Sequence, residues 1–595
     1  MQSDRRYRAQ ERPTGAILLA WAVLATILLA INAGRIAAGQ HVDPDDVLRL
    51  VQVRDLLAGQ SWFDVTQYRI DPPQGVAMHW SRLVDIPLLI VIGILRPAIG
   101  QGAAEIVASA AIPLLILLGT LLVIGRIAWR LFDRQTAVLA CLCTALVPAV
   151  IYQMQPMRID HHGWQVFAVI FAVWAIMWRT PVKGGAAAGL AMAAGLIVSI
   201  ELLPMAAAFG GVLGLRWLRD RRERFWLVGY MQALALGMTV LFFATRGIGS
   251  IAAYCDAVAP AHLGFFIIAA IGTTGIAAMP PVPRGALIGF FLIAGAAGLA
   301  FFAASAPQCL ASPFGSLDPV VQQYWYRNIA EGRPIWEQSV QAALIATIQM
   351  IAALATVLVL MGRSNDWLRR WWLEYALLLG AAMLAAMFTF RSVAFAAVIA
   401  ALPLGWLAGR MLRRLRTANR AGPKLAMAGM ICLVLLPAAP VSLAAMLLPG
   451  QARANGTPAA EPVTLAQSSC DLDAGARAMA NLPRGRVFAP LDIGPAILAH
   501  TNHAVIATAH HRADDAIRDT ILAFSAPPQA AREIVTRDHG AQYLAICTDV
   551  IEPAVYAARG GEESLAARLI AGDPPAWLEP VDPGTAPALA VYRVR

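Results

Sequence analysis

Residues 15–49 read GAILLAWAVLATILLAINAGRIAAGQHVDPDDVLR. An apolar run from about 15 to 37 gives way to three carboxylates, Asp43, Asp45 and Asp46, within four residues. As a helix the run rises ~34 Å at ~1.5 Å per residue, enough for a hydrocarbon core of ~30 Å. Arg5, Arg6, Arg8 and Arg12 precede it. Such charges also suit a signal peptide, but the length of the run and the spans behind it make it a first transmembrane helix, entering from the cytoplasm. The acidic cluster then falls just beyond the outer membrane surface.

The rest of the chain repeats the pattern. Of 595 residues, 58% are hydrophobic and 14% charged, with a mean hydropathy of +0.60. Soluble domains lie nearer ~45–50% apolar and ~25% charged. This balance excludes a disordered chain, a fibre, a coiled coil and a small disulfide scaffold. Apolar runs at about 107–126, 136–152, 164–178, 185–201, 203–216, 226–244, 262–279, 285–303, 340–361, 372–389, 392–408 and 425–448 bring the expected spans to 13. A shorter run at 86–97 rises only ~18 Å and reads as an interfacial or re-entrant helix on the outer face.

The net charge is +10, and Lys183 and Lys424 are the only lysines. The arginines gather in short loops: 126–134, 179–183, 216–224, 284, 363–370 and 410–424. That is the positive-inside distribution, so the basic balance needs no nucleic-acid partner. An odd number of spans puts the segment after 449 outside. The expected organisation is a transmembrane domain over 1–449, with long outer loops at 38–85 and 304–338, and an extracytoplasmic α/β domain over 450–595. The last alternates strand-like runs (Arg486-Val-Phe-Ala-Pro, Ala504-Val-Ile-Ala-Thr) with Ala-rich helical stretches such as 565–571. Cys470 and Cys547 both lie in it, where a disulfide is possible but not fixed by spacing. Cys141, Cys143 and Cys432 fall in spans and read as apolar filler.

Candidate chemistry gathers in the segments placed outside. Asp43 and Asp45 are candidate catalytic carboxylates, and clustered carboxylate oxygens also suit a hard divalent cation. The plainer account is a solvated helix cap. The loop continues through Trp62-Phe63-Asp64, Tyr68 and Pro72-Pro73-Gln74-Gly75 to His79-Trp80-Ser81-Arg82. Its aromatics suit an interface, whereas His79 and Arg82 are candidates for binding a phosphate. Next comes Arg158-Ile-Asp160-His161-His162-Gly163. Asp160 and His162, two apart, point the same way in an extended segment and can share an ion with Asp43, either Mg²⁺ or Mn²⁺. Glu201 sits at a hairpin tip, and Glu331 and Glu337 lie in the loop 304–338. These are candidates for the acceptor side or for a mobile loop. Arg391 stands between two spans on the outer side, against the charge trend, where its fork suits a phosphate or simply snorkels.

Taken in order, these motifs resemble the catalytic subunit of oligosaccharyltransferase. Asp43-Pro44 with Arg49, then Trp62-Phe63-Asp64, Tyr68 and Gly75, is similar to that family's first acidic motif. Asp160-His161-His162 looks like its second, of the form Asp-x-His, and Arg391 matches its pyrophosphate-binding arginine. The resemblance covers about residues 15–448 and implies a GT-C-like fold, that of the C-type membrane glycosyltransferases. It implies a metal held by Asp43, Asp160 and His162. It also implies transfer of a sugar or oligosaccharide from a polyprenyl-phosphate or -pyrophosphate donor on the outer face of the cell inner membrane. Membrane lipids and a glycan, lipid or protein acceptor are the expected partners, with no nucleic acid. The outer domain lacks the family's Trp-Trp-Asp sequon-reading motif, so the acceptor is not assigned. The alternative is a polytopic lipid or sugar transporter or flippase. Charge grouped at span ends, away from the midplane, disfavours it.

Overall fold

The computed structural model describes residues 12–248, 254–310, 314–315, 317–447, 468–582 and 589–595. Arg5, Arg6 and Arg8 and the start of the C-terminal segment, 450–467, lie outside the described residues. The chain forms two compact units: Met1–Ile36, Ser81–Pro313 and Ala330–Pro449 make the first; Ala37–Trp80, Phe314–Ile329 and Gly450–Arg595 make the second.

The first unit is helical. Among the described residues ten helices are long and apolar enough to cross a membrane, from Thr14–Ile31 and Gln101–Leu131 to Asp366–Phe388 and Phe390–Thr417. An eleventh is reached if Ala421–Leu435 and Ala438–Met446, bent by 97°, count as one span. Two of the 13 expected runs fall short. Residues 136–152 form a helix at Arg134–Ala145 and a separate turn at Pro148–Tyr152, and 164–178 yields the 14-residue helix His162–Ala175. At ~1.5 Å per residue the longer of these reaches only ~21 Å. Conversely, the helix expected at 86–97 runs from Arg82 to Ile99, 18 residues. It extends through its charged end because Arg82 and Asp85 pair at 3.2 Å with both side chains fully buried. Ser81 caps it, accepting from the Leu83 N–H at 3.2 Å.

Glycine sets how closely the helices approach. Pro181–Val198 lies against Arg224–Arg246, and a Cβ at Gly185 would stand 2.2 Å from the Trp226 carbonyl oxygen. One at Gly189 would stand 2.2 Å from that of Tyr230. Gly185 and Gly189 are four apart, one face of one helix, which is the small-residue spacing that lets backbones touch. Gly405 does the same against Ala140, whose Cα would be 2.4 Å from an added Cβ. A disulfide joins Cys255 to Cys309.

The second unit carries a five-stranded mixed sheet in the order Ala504–Val505, Arg486–Phe488, Tyr543–Cys547, Leu589–Val594, Leu578–Pro580. The first three strands are parallel and the last two antiparallel. Tyr543–Cys547 is buried at every position, as a central strand covered on both faces must be. Both strand-like runs seen in the sequence are strands here, and Leu565–Ile570 is a helix. Cys470 and Cys547 are bonded.

Where the sequence places 38–85 and 304–338 as loops of the transmembrane domain, most of the first and the middle of the second, Phe314–Ile329, belong to this unit. Residues 69–71 extend its sheet edge: Asp71 N–H donates to Val505 O at 3.0 Å, and Val505 N–H to Arg69 O at 2.8 Å. Leu48, Val51, Ile70, Trp80 and Val321 enter its core, and Asp514 accepts from the Asp318 N–H at 2.9 Å. A loop that buries this much apolar surface cannot stand alone in water.

The glycine contacts give a paired prediction. Gly189→Ala should destabilise the protein by about 1–3 kcal/mol, since two backbones cannot both yield. Gly380→Ala has nothing within 4 Å of the added carbon and lies mid-helix. It should stabilise by up to ~1 kcal/mol. Thermal unfolding in detergent checks both, and equal shifts would contradict the packing.

Candidate functional site

The second acidic motif sits in a loop folded tightly onto the first unit. Met157 takes a left-handed φ of 70° and its N–H donates to Ser109 O at 2.9 Å. A bulky residue rarely holds that conformation without enforcement by its surroundings. Gly163, in the first turn of His162–Ala175, lies so close that an added Cβ would stand 2.9 Å from Gln153 O. These two contacts turn 158–162 inward, and Arg158, Asp160, His161 and His162 are all buried.

Asp160 is the centre. His161 Nδ1 lies 2.5 Å from one carboxylate oxygen, and His162 Nε2 3.4 Å and Arg158 3.8 Å from the other. Burial pushes its carboxyl up, but His161 and His162, with Arg158 behind them, prevail and hold it well below the usual carboxylate range. Arg158 is steadied by Gln153, whose oxygen accepts from its Nε at 3.4 Å, and by the Tyr152 ring 5.2 Å away.

The network continues from His162. Its Nδ1 lies 3.9 Å from Glu201, and Glu201 accepts a hydrogen bond from Arg391. The other arm of Arg391 reaches Glu331 at 3.3 Å. Local structure places each group. Ser199 accepts from the Glu201 N–H, and its own carbonyl accepts from Gln165 at 3.3 Å. The turn carrying Glu331 is tied down where Phe390 N–H donates to Arg333 O at 2.9 Å. Thus Asp160, His162, Glu201, Glu331 and Arg391, each expected from the sequence, come together. Glu337 lies on the exposed turn Ile335–Glu337 and joins none of these ion pairs. Arg82 is spent on Asp85.

Two members were not anticipated. His161 is a ligand candidate equal to His162, and Arg158 is the buried counter-ion. The adjacent histidines were visible, but strand alternation would have sent His161 away from its neighbours. In this loop the two rings lie side by side, 4.1 Å between centres.

The donor set fits a cation. One ligand atom each from Asp160, His161 and His162 lies within 4.8 Å of the others, all buried. Two guanidiniums, Arg158 and Arg391, face three carboxylates, Asp160, Glu201 and Glu331, in the ion pairs described. With neutral imidazoles the network is one positive charge short. Two nitrogens and a carboxylate suit a borderline ion better than a hard one.

In the second unit, Asp43 caps the helix Pro44–Leu57, accepting from the Asp45 N–H at 3.0 Å. Asp46 and Arg49 are fully buried on that helix, with Arg49 4.9 Å from the Trp80 ring. His79 follows the strand Val76–Ala77, its Nδ1 2.8 Å from His510. Asp492 and Glu552 carry no local signal in the sequence. Glu552 accepts from the N–H groups of Leu491 and Asp492, at 2.6 and 3.1 Å, and from Tyr556 at 2.5 Å.

The sequence matches no family model and no curated protein. Solved structures do match. The archaeal oligosaccharyltransferase AglB from Archaeoglobus fulgidus, in complex with an inhibitory peptide and a dolichol-phosphate, superposes with a TM-score of 0.66 at 14% identity, over 95% of this chain and 72% of that one. The Archaeoglobus fulgidus enzyme tethered to an acceptor peptide containing the NVT sequon gives 0.62 at 14%, over 97% and 74%. Its complex with Zn and sulfate gives 0.58 at 12%, over 96% and 72%. The chain is therefore a polytopic helical membrane protein of the C-type glycosyltransferase fold. Within that class its architecture is oligosaccharyltransferase-like.

The buried pair in the second unit yields a pH prediction. Burial, then Glu552 and Asp43, push the Asp492 carboxyl well above its ordinary range, and burial pushes Glu552 up as well. A folded pKa above the unfolded one favours folding only while the proton is bound. Stability from this source is complete below the unfolded carboxylate range and is lost as pH rises toward the folded value. Asp492→Asn should therefore match wild type near pH ~4. Above that it should gain about 1.4 kcal/mol per pH unit until the folded pKa is passed. Chemical denaturation across that range tests this; a pH-independent difference would refute the sign.

Proposed function

We propose that the chain is a glycosyltransferase that moves a sugar or oligosaccharide from a polyprenyl-phosphate or -pyrophosphate donor to an acceptor on the outer face of the cell inner membrane. The observation that carries the reading is the Asp160–His162–Glu201–Arg391 chain of contacts inside an oligosaccharyltransferase-like fold. Asp160, His161 and His162 would hold a divalent ion, with Mn²⁺ better matched than Mg²⁺ to two imidazoles. Bound there, such an ion would supply Lewis-acid stabilisation of negative charge on a leaving phosphate.

The rest is the work of the side chains. Arg391 presents a planar fork to a phosphate, and Glu201 and Glu331 hold that fork in place beforehand. Pre-set donors avoid the reorganisation that weakens a flexible site. A phosphate must displace at least one carboxylate from Arg391, and Glu331, the more exposed of the two, is the one to leave. Asp43 or Asp45 is proposed to orient or deprotonate the acceptor. The solved enzyme bound to a dolichol-phosphate makes a lipid-linked donor the natural first probe.

Nothing favours the transporter. Arg216 and Glu374 pair at 2.6 Å, but Arg216 lies in the last turn of its helix and Glu374 about two turns from the start of its own. Each is the other's counter-ion, so the pair is satisfied without a transported ion.

Turnover of a polyprenyl-linked sugar, measured with chelator and again with Mn²⁺ restored, tests the site. Asp160→Ala should lose most activity while remaining folded, and Asp43→Ala tests the role proposed for that residue. Arg391→Ala should weaken donor binding by roughly ten- to a hundredfold, the loss of about 1.5–3 kcal/mol from a charge-assisted contact. Full activity in chelator would remove the metal. Unchanged donor affinity in the arginine variant would remove Arg391. Protease added to spheroplasts should digest residues 450–595, and a protected C-terminus would reverse the orientation.

A further inference from the structure

The geometry points to a second transition-metal site, built from His79, His510 and His511 within the second unit. Three of the ten histidines of the chain meet there. The ring centres form a nearly equilateral triangle: 4.9 Å from His79 to His510, 4.9 Å from His79 to His511, and 5.1 Å from His510 to His511. Imidazoles bound to one tetrahedral ion through bonds of ~2.0–2.1 Å place their ring centres ~5 Å apart.

His79 Nδ1 lies 2.8 Å from His510 Nε2. Two nitrogens on one ion sit ~3.3 Å apart, so loading requires a shift of about half an ångström.

The surroundings fit a ligand cluster better than a core packing accident. The histidines come from two segments, the exit of the strand Val76–Ala77 and the loop before the helix Asp514–Ser525. Both are braced. Arg512 donates to Ala77 O at 3.2 Å, joining the segments beside the cluster. Trp80 stands edge-on to His510 at 5.5 Å, and Phe314 edge-on to His511 at 5.0 Å. His510 is 2% exposed, whereas His79 and His511 are half-buried, which leaves an approach for an ion. Aromatic walls limit ring rotation, so little side-chain entropy remains to be lost on binding.

The donor chemistry names the class. Three imidazole nitrogens select Zn²⁺, Co²⁺ or Cu²⁺ and disfavour Mg²⁺ or Ca²⁺. The bound ion would staple the loop at 510–512 to the segment leaving the small two-stranded sheet.

The test reads metal content, not turnover, so its failure leaves glycosyl transfer untouched. Purified protein carrying Asp160→Ala and His162→Ala, which lacks the cluster in the first unit, is stripped with chelator and titrated with Co²⁺. One equivalent should bind, with visible bands of a nitrogen-ligated tetrahedral ion. Adding His79→Asn or His511→Asn, both at half-buried positions, should abolish it, with folding checked by size exclusion and circular dichroism. Cu²⁺ loaded in place of Co²⁺ should show nitrogen hyperfine splitting in its electron paramagnetic resonance spectrum without any substitution at His510. No uptake in the double variant, uptake that survives both histidine substitutions, or thiolate charge-transfer bands would each overturn the site.

Discussion

An ionised carboxylate removed from water must be neutralised where it lies, and Asp160 imposes that requirement on the first unit. Desolvation alone costs several kcal/mol per ion and would drive the group neutral. Two imidazoles and a guanidinium reverse the outcome and keep it charged. Each partner then needs its own placement. The left-handed Met157, the bare Cα of Gly163 and the Gln153 brace are the local consequences. The compensation spreads outward through His162 to Glu201, and from Glu201 to Arg391 and Glu331. Four segments far apart in sequence are joined by a single alternation of charge.

Such an alternation needs helix ends that do not drift. Glycine supplies that rigidity, because backbones in contact have no flexible side chain to absorb movement. Gly185 and Gly189 lock Pro181–Val198 against its neighbour, and that helix leads directly into Ser199 and Glu201. Gly405 seats the helix Val393–Thr417 on Ala140, and Arg391 stands in the turn just before that helix. The two partners of the Glu201–Arg391 pair are thus each carried by a helix held at backbone contact.

Much of this is legible in the sequence, and what is not shares one cause. Hydropathy treats every charged residue as solitary and solvated. On that basis the polar stretch at 153–162 is an exposed loop between two full spans. The structure buries it, and the flanking helices Pro148–Tyr152 and His162–Ala175 are short. The same assumption starts the helix of 82–99 too late, since the Arg82–Asp85 pair is invisible to a hydropathy window. Motif order performs better: Asp160, His162 and Arg391 are found from residue type and position in the chain. Long-range pairing is beyond either approach. Nothing local in Asp318 signals that Asp514 will accept its N–H, and nothing in Arg69-Ile-Asp71 signals a place on the sheet edge beside Val505. Hence the segments around 37–80 and 314–329 read as loops, although they are part of a core.

The two units treat buried carboxylates in opposite ways. In the first, two histidines and a guanidinium surround Asp160 and hold the charged form. In the second, Asp492 has Glu552 and Asp43 for neighbours, and like charges add to desolvation to hold the proton. Glu552 spends its oxygens on two backbone N–H groups and a tyrosine, a set that tolerates either state because the donors remain in place. Groups whose surroundings drive them in opposite directions can divide acid and base duties, since one is reliably a base and the other reliably an acid at the same pH. Structural ion networks perturb pKa values as well, so the shift alone assigns no duty. What separates the cases is the nature of the neighbours. Asp160 lies among groups that can exchange a proton or a ligand for a cation, and Asp492 among groups that can only hold its proton. On that ground the second is a carboxyl whose neutrality the fold uses, whereas the first keeps its charge available.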